Sequence, residues 1–288
     1  MSVKNYPSAP WMKRPNPIQI GLMAIKPDQW LAKADTDILS QRQTLLDTHR
    51  QAVFAAEAQS LDACAEAAEL VRQHAKTPLR PKEPLVHPLL SVGDEIMEDC
   101  LILQRGEIEA QWRLTAAVLC FPAHWHLDEK MGQPLLNIHS PVPHYAEKLN
   151  HPVNRLFDHM EREKFSRRKN WTLQIGDRLH APKRLSGHTD HHEPGLAPVL
   201  TPENVGAAIY CREEVQSFVK LPETEAILFT IQTKLSPLQK WQYDKEALAA
   251  LIDELAALSP AMRSYRAVES YEEALIGWVH QQTAKQQK

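Results

Sequence analysis

Glycine is scarce in this chain, nine residues in 288 against twenty-one prolines. Neither a GxGxxG turn nor a P-loop occurs, which removes the glycine-rich nucleotide fingerprints. Cysteine is sparse too: Cys64, Cys100, Cys120 and Cys211 lie far apart with no CxxC pair. That spacing points to reduced thiols of a cytosolic protein, not to a disulfide frame or a zinc knuckle. No basic excess exists, with 33 Lys and Arg against 36 Asp and Glu, so the footprint of a nucleic-acid protein is missing. No run reaches the roughly 18 apolar residues of a membrane span. The start, MSVKNYPSAPWMKRPNP, has no apolar signal core. The expectation is a cytoplasmic protein partnered by neither nucleic acid nor membrane.

What is present falls into three parts. Residues 1–18 are proline-rich and read as an extended arm. From Pro27 to about Lys76 the chain reads as helical, with the alanine- and glutamate-rich run AVFAAEAQSLDACAEAAELVRQHA; Pro78, Pro81, Pro84 and Pro88 then stop it. The middle reads as sheet. WRLTAAVLCF (112–121) is a short apolar run ending at Pro122, and NWTLQIGD (170–177) alternates Trp171, Leu173 and Ile175. Residues 211–238 read as a hairpin, with Val215 and Val219 on one arm, Ile227, Phe229 and Ile231 on the other, and Pro222–Glu225 as the turn. Helix returns after Asp244, a natural N-cap, with Leu248, Leu251, Ile252, Leu255 and Leu258 on one face. Ser259-Pro260 interrupts it, and a last helix starts near Ser270. The fold class is α+β. The divisions are an arm and helices over 1–84, a core over 85–243 and helices over 244–288, joined as one structural unit.

Four clusters carry candidate chemistry. CFPAHWHLDEKMGQPLLNIHSPVPHY (120–145) holds four prolines and four histidines in one connection. His139 within it, followed by Pro141 and Pro143, suits a fixed axial metal ligand; a half-buried histidine bonded to a carbonyl is the other reading. GHTDHHEP offers His188, Asp190, His191, His192 and Glu193, either as a zinc or nickel site or as a solvated loop. R-x-E-x-Q places Arg212, Glu214 and Gln216 on one face of a strand, either the solvent side of a sheet or the wall of a covered site. RRKNW, with Arg167, Arg168 and Trp171, could grip a propionate or phosphate and stack on a flat ring, or form a basic turn. No GxSxG, HExxH or Cys–His protease spacing occurs.

The segments IQIGLMAIKPDQWL, IMEDCLIL, CFPAHWHLDEKMGQPLLNIHSPVPHY, RRKNWTL, CREEVQSFVKLPETEAILFTIQTKLSPL and LAALSPAMRSYR follow one another from about residue 18 to 267. In combination they resemble the heme-dependent oxidative N-demethylase alpha-subunit family. The resemblance implies a PAS-like curved antiparallel sheet with N-terminal and C-terminal helical extensions, holding heme b. It also implies O2-dependent removal of a methyl group from a small alkylamine such as dimethylamine, with release of formaldehyde. Electrons would come from separate flavin and iron–sulfur reductase subunits. On the same footing His139, in I-H-x-P-V-P, is the iron ligand and Glu214 the catalytic carboxylate. Arg167, Arg168 and Arg212 are propionate partners, and Trp171 is a ring contact. Val215 stands where the family pattern has a basic residue, and RRKNW is one residue longer, departures that bear on the substrate. A heme-binding sensor or carrier of the same fold, and a scaffold subunit without cofactor, are the other functional classes.

Overall fold

The computed structural model describes residues 8–12, 20–81, 84–106, 111–182 and 199–285. Alternating apolar positions in the hairpin produce its two long strands, and the rest of the sheet is laid beside them. The strands are β1 (Met23–Ala24), β2 (Phe54–Ala56), β3 (Asp99–Arg105), β4 (Trp112–Val118), β5 (Ser166–Ile175), β6 (Ile209–Lys220) and β7 (Ile227–Pro237). They form one antiparallel sheet in the order β1-β5-β6-β7-β3-β4-β2. The 1–84 segment therefore supplies both edge strands.

The helical reading of residues 27–76 needs one correction. Helices run over Thr36–Thr48 and Leu61–His74, but Phe54–Ala56 between them is strand, pairing Phe54 with Val118 and Ala56 with Ala116. Alanine's helix preference is worth only tenths of a kcal/mol per residue over most others, and the unsatisfied edge of β4 outweighs it. The C-terminal expectations hold. Asp244 caps Lys245–Ala256 by accepting from Ala247 N–H at 3.0 Å. Ser259 caps Pro260–Tyr265, and the last helix is Glu272–Lys285.

Each face of the sheet is covered. On one, helix Leu61–His74 and Trp30 pack on Ile102, Val118, Val219 and Leu228. Beside them Trp11, Leu248, Leu251 and Trp278 pack on Trp171, Leu173 and Cys211. The opposite face carries Leu101, Leu103, Leu114, Phe218 and Ile231, roofed by Leu127, Leu135 and Phe157 from the connection between β4 and β5. That roof is where the proline- and histidine-rich stretch lies.

Candidate cofactor site

Pro134 starts a single helical turn, Leu135–Ile138, and His139 ends it with its backbone N–H on Leu135 O at 3.0 Å. His139 Nδ1 lies 2.8 Å from the same oxygen. A carbonyl only accepts, so Nδ1 carries the proton and Nε2 keeps its lone pair. Nε2 has no hydrogen bond to any described residue. Burial pushes the imidazole pKa down to about 4, and the positive charges of Lys130 and Arg168 add to this against the opposing Leu135 bond. A neutral ring with a free Nε2 is what a metal ligand requires.

The loop is held on both sides of His139. Upstream, Gly132 donates to Leu114 O at 2.8 Å and Gln133 O accepts from Leu114 N–H at 3.2 Å, pinning the roof to β4. Gly132 has φ of 70°, and a Cβ there would meet Glu57 Oε1 at 2.8 Å and Arg113 Nη2 at 3.1 Å. That close approach explains the glycine of E-K-x-G. Downstream, Val142 N–H reaches His139 O at 2.8 Å, and His144 takes the left-handed conformation, φ 64°, before the turn Tyr145–Lys148. The Tyr145 ring lies on the imidazole, centroids 4.2 Å apart and planes 10° from parallel.

The sheet supplies the facing side chains. Arg168 is registered with Gln216, Asn170 with Glu214 and Thr172 with Arg212, so all six share the roofed face. Arg212, Glu214 and Gln216 thus lie together as the strand spacing requires. Glu214 Oε1 accepts from Arg212 Nε at 3.1 Å, and Oε2 from Gln216 Nε2 at 3.0 Å. Arg212 is buried and also donates to Leu179 O at 3.1 Å, Thr233 Oγ1 at 3.3 Å and Phe121 O. Every nitrogen of its guanidinium is engaged; it positions Glu214 and joins β6 to the start of the roof. Arg168 differs. Its guanidinium makes no hydrogen bond or ion pair with a described residue, and burial lowers its pKa while the charges of Glu214 and Tyr145 oppose that. Because Arg168 acts electrostatically on His139 as well, roof and sheet converge here. Phe218 and Phe229 stack at 4.4 Å with planes 1° apart and line the same face.

Two sequence candidates lie elsewhere. Arg167, one residue from Arg168, points to the other face, where Nη2 donates to Gln29 O and Trp30 O at 2.6 and 2.7 Å and Nε to Ser217 Oγ at 3.2 Å. Trp171 is on that face too, 5.6 Å from the Trp11 ring and beneath the Arg266 guanidinium at 5.3 Å. Neither joins His139. The residues His188, Asp190, His191, His192 and Glu193 lie outside the described residues. Sequence reasoning missed Tyr145, whose hydroxyl is buried without a partner and whose pKa burial pushes up to about 12.

Among the described residues no group of three His, Cys, Asp or Glu could enclose a metal ion. The donor set is one neutral imidazole beside a paired carboxylate, a free cation and stacked phenyl rings. That set fits a heme, whose porphyrin supplies the other iron ligands, and does not fit a protein-caged metal. Among the same residues no helix is long and apolar enough to cross a membrane. The surface grooves beside Arg80 and beside Trp112 include neither His139 nor Glu214. Comparison with known families matches residues 73–276, which include both faces of this site, to the haem-dependent oxidative N-demethylase, alpha subunit-like family. The chain belongs to that family.

Proposed function

We propose that this protein binds heme b through His139 Nε2 and carries out oxidative N-demethylation of a small alkylamine, releasing formaldehyde. The observation that carries the reading is the His139 Nδ1 to Leu135 O bond, which fixes the tautomer and leaves Nε2 unprotonated with its lone pair free at neutral pH. Support for a PAS-like fold is the antiparallel sheet with one long helical connection, between β4 and β5, laid over one face.

Heme, when bound, supplies the oxygen activation that N-methyl oxidation requires. The protein's own groups do the rest. A dialkylamine is a cation near neutral pH, and Glu214 offers it a carboxylate oriented by Arg212 and Gln216. The hydroxylated methyl group leaves as formaldehyde when its O–H proton is lost and the nitrogen gains one. Glu214 would carry that proton. Phe218 and Phe229, stacked further along the same face, give it an apolar part. Burial keeps His139 unprotonated, with the charges of Lys130 and Arg168 adding to it.

The alpha-subunit family name implies further subunits, and flavin and iron–sulfur reductase components are the partners that would deliver two electrons per turnover. Four buried free cysteines suit the reducing cytoplasm.

The test is absorption spectroscopy of protein expressed with a heme precursor, before and after dithionite and carbon monoxide. A Soret band that shifts with both treatments is expected, and is lost in His139→Ala. Formaldehyde produced from dimethylamine, O2 and reductant then separates turnover from sensing. An unchanged heme spectrum in His139→Ala overturns the assignment.

A further inference from the structure

His139 is held at two points, and only one of them is a hydrogen bond. Leu135 O takes both the backbone N–H of His139, at 3.0 Å, and its Nδ1, at 2.8 Å. That bond sets the tautomer, yet alone it leaves the imidazole free to rock about the line from Nδ1 to the oxygen. The face of the ring is held separately. Tyr145 lies on it with centroids 4.2 Å apart and planes 10° from parallel, so rocking toward that side drives one ring into the other.

The chain between the two residues brings them together. His139 O accepts from Val142 N–H at 2.8 Å, and Val142 O accepts from Tyr145 N–H at 3.2 Å, two consecutive tight turns. Within them Pro141 and Pro143 have φ fixed by their own rings, and His144 takes φ 64°. On its far side Tyr145 O accepts from Leu149 N–H at 2.9 Å, and only 4 % of the residue is exposed. The phenol oxygen has no hydrogen-bond partner among the described residues. Ring and backbone therefore hold Tyr145 in place, not its hydroxyl.

We propose that Tyr145 is a positioning residue: its ring fixes the plane of the His139 imidazole and so the direction of the Nε2 lone pair, and the two prolines serve to seat it there. The inference rests on the reading of His139 as the iron ligand. A ligand nitrogen bonds best when its lone pair points straight at the metal, and a ring free to rock loses that aim.

The experiment compares heme-loaded wild type with Tyr145→Leu, Tyr145→Met and Tyr145→Phe, all in the full chain. The first two fill space without a flat ring; the third keeps the ring and removes only the hydroxyl. In Tyr145→Leu the iron–histidine stretch of the reduced protein, read by resonance Raman, moves to lower frequency and broadens, and heme affinity falls about tenfold. Tyr145→Met gives the same result and replaces it should Tyr145→Leu not fold, since methionine adapts to irregular space. Tyr145→Phe keeps the wild-type band and affinity, and its heme-free form melts no lower than wild type, because the hydroxyl it loses has no partner. A wild-type band in the leucine and methionine variants overturns the proposal even where the melting temperature falls, because lost stability alone marks a ring that only fills space. A phenylalanine variant altered as much as the leucine one overturns it too, by placing the effect in the hydroxyl. Wild type that takes up no heme defeats the heme reading and this proposal with it. Heme bound through His139 with a band that no variant moves defeats the proposal alone.

Discussion

Arg42 Nη1 and Asp99 Oδ1 meet at 2.7 Å with neither side chain exposed to solvent. Asp99 also accepts from Cys120 N–H at 2.7 Å and Phe121 N–H at 3.1 Å, while Arg42 Nε and Nη2 donate to Gly93 O. The pair therefore anchors the first residues of the roof, directly beside the carbonyl that receives Arg212. Asp99→Ala is expected to cost about 3–5 kcal/mol, since it leaves a buried guanidinium and two backbone donors unmet. Urea unfolding measures it. Replacing both partners with apolar residues should recover little, because Cys120 and Phe121 would still lack an acceptor.

His139 makes a pH prediction. Its folded pKa of about 4 lies below the usual histidine value near 6.5, so the unfolded chain binds the proton more readily. Stability from this group is fully present above about pH 6.5 and is lost as pH falls toward 4. The loss is on the order of 2–3 kcal/mol. Urea midpoints of wild type and His139→Gln at pH 7 and pH 4.5 test it: wild type should fall further between the two.

Gly132→Ala places a side chain at φ 70° against the Glu57–Arg113 pair. A destabilisation of about 1–2 kcal/mol is expected. Heme affinity should weaken with it, because the turn carrying His139 hangs from Gly132 and Gln133 on β4. Unaltered heme binding in this variant would show that the anchor and the ligand are independent.

Glu214→Gln keeps the side-chain shape and an acceptor for Arg212, requires the Gln216 amide to turn its oxygen toward the new NH2, and loses the negative charge. Formaldehyde release should drop about 100-fold or more, the usual range for a lost proton carrier, while the Soret band stays. Turnover at the wild-type rate would move the proton to another group.

The hairpin of β6 and β7 was legible because its apolar residues alternate without interruption, and alternation is what a half-buried sheet imposes. Phe54–Ala56 was not, since its strand conformation is set by the open edge of β4, which no local pattern announces. The short apolar strand β3 had no alternation to reveal it and was visible only as a family segment. In the site, strand spacing put Arg212, Glu214 and Gln216 on one face, as the structure has them, whereas the residue pattern alone left both His139 and Glu214 open and only the family resemblance gave them roles. Trp171 and Arg168 look like one basic-aromatic motif, yet three residues along a strand means opposite faces; that parity was available in the sequence and separates them. Tyr145 could not have been found this way. Its stacking on His139 depends on two tight turns between them and on a left-handed His144.

Met23 pairs with Arg167, and Phe54 with Val118. Both rims of the sheet are thus made from segments that precede their partners in the chain, and neither can close until its much later neighbour has left the ribosome. Through that interval Met23 and Phe54 have no strand to join and are free to meet the wrong chain. Such long-range closure predicts slow folding, and yield in a heterologous host should respond more to growth temperature and chaperone supply than to cofactor supply.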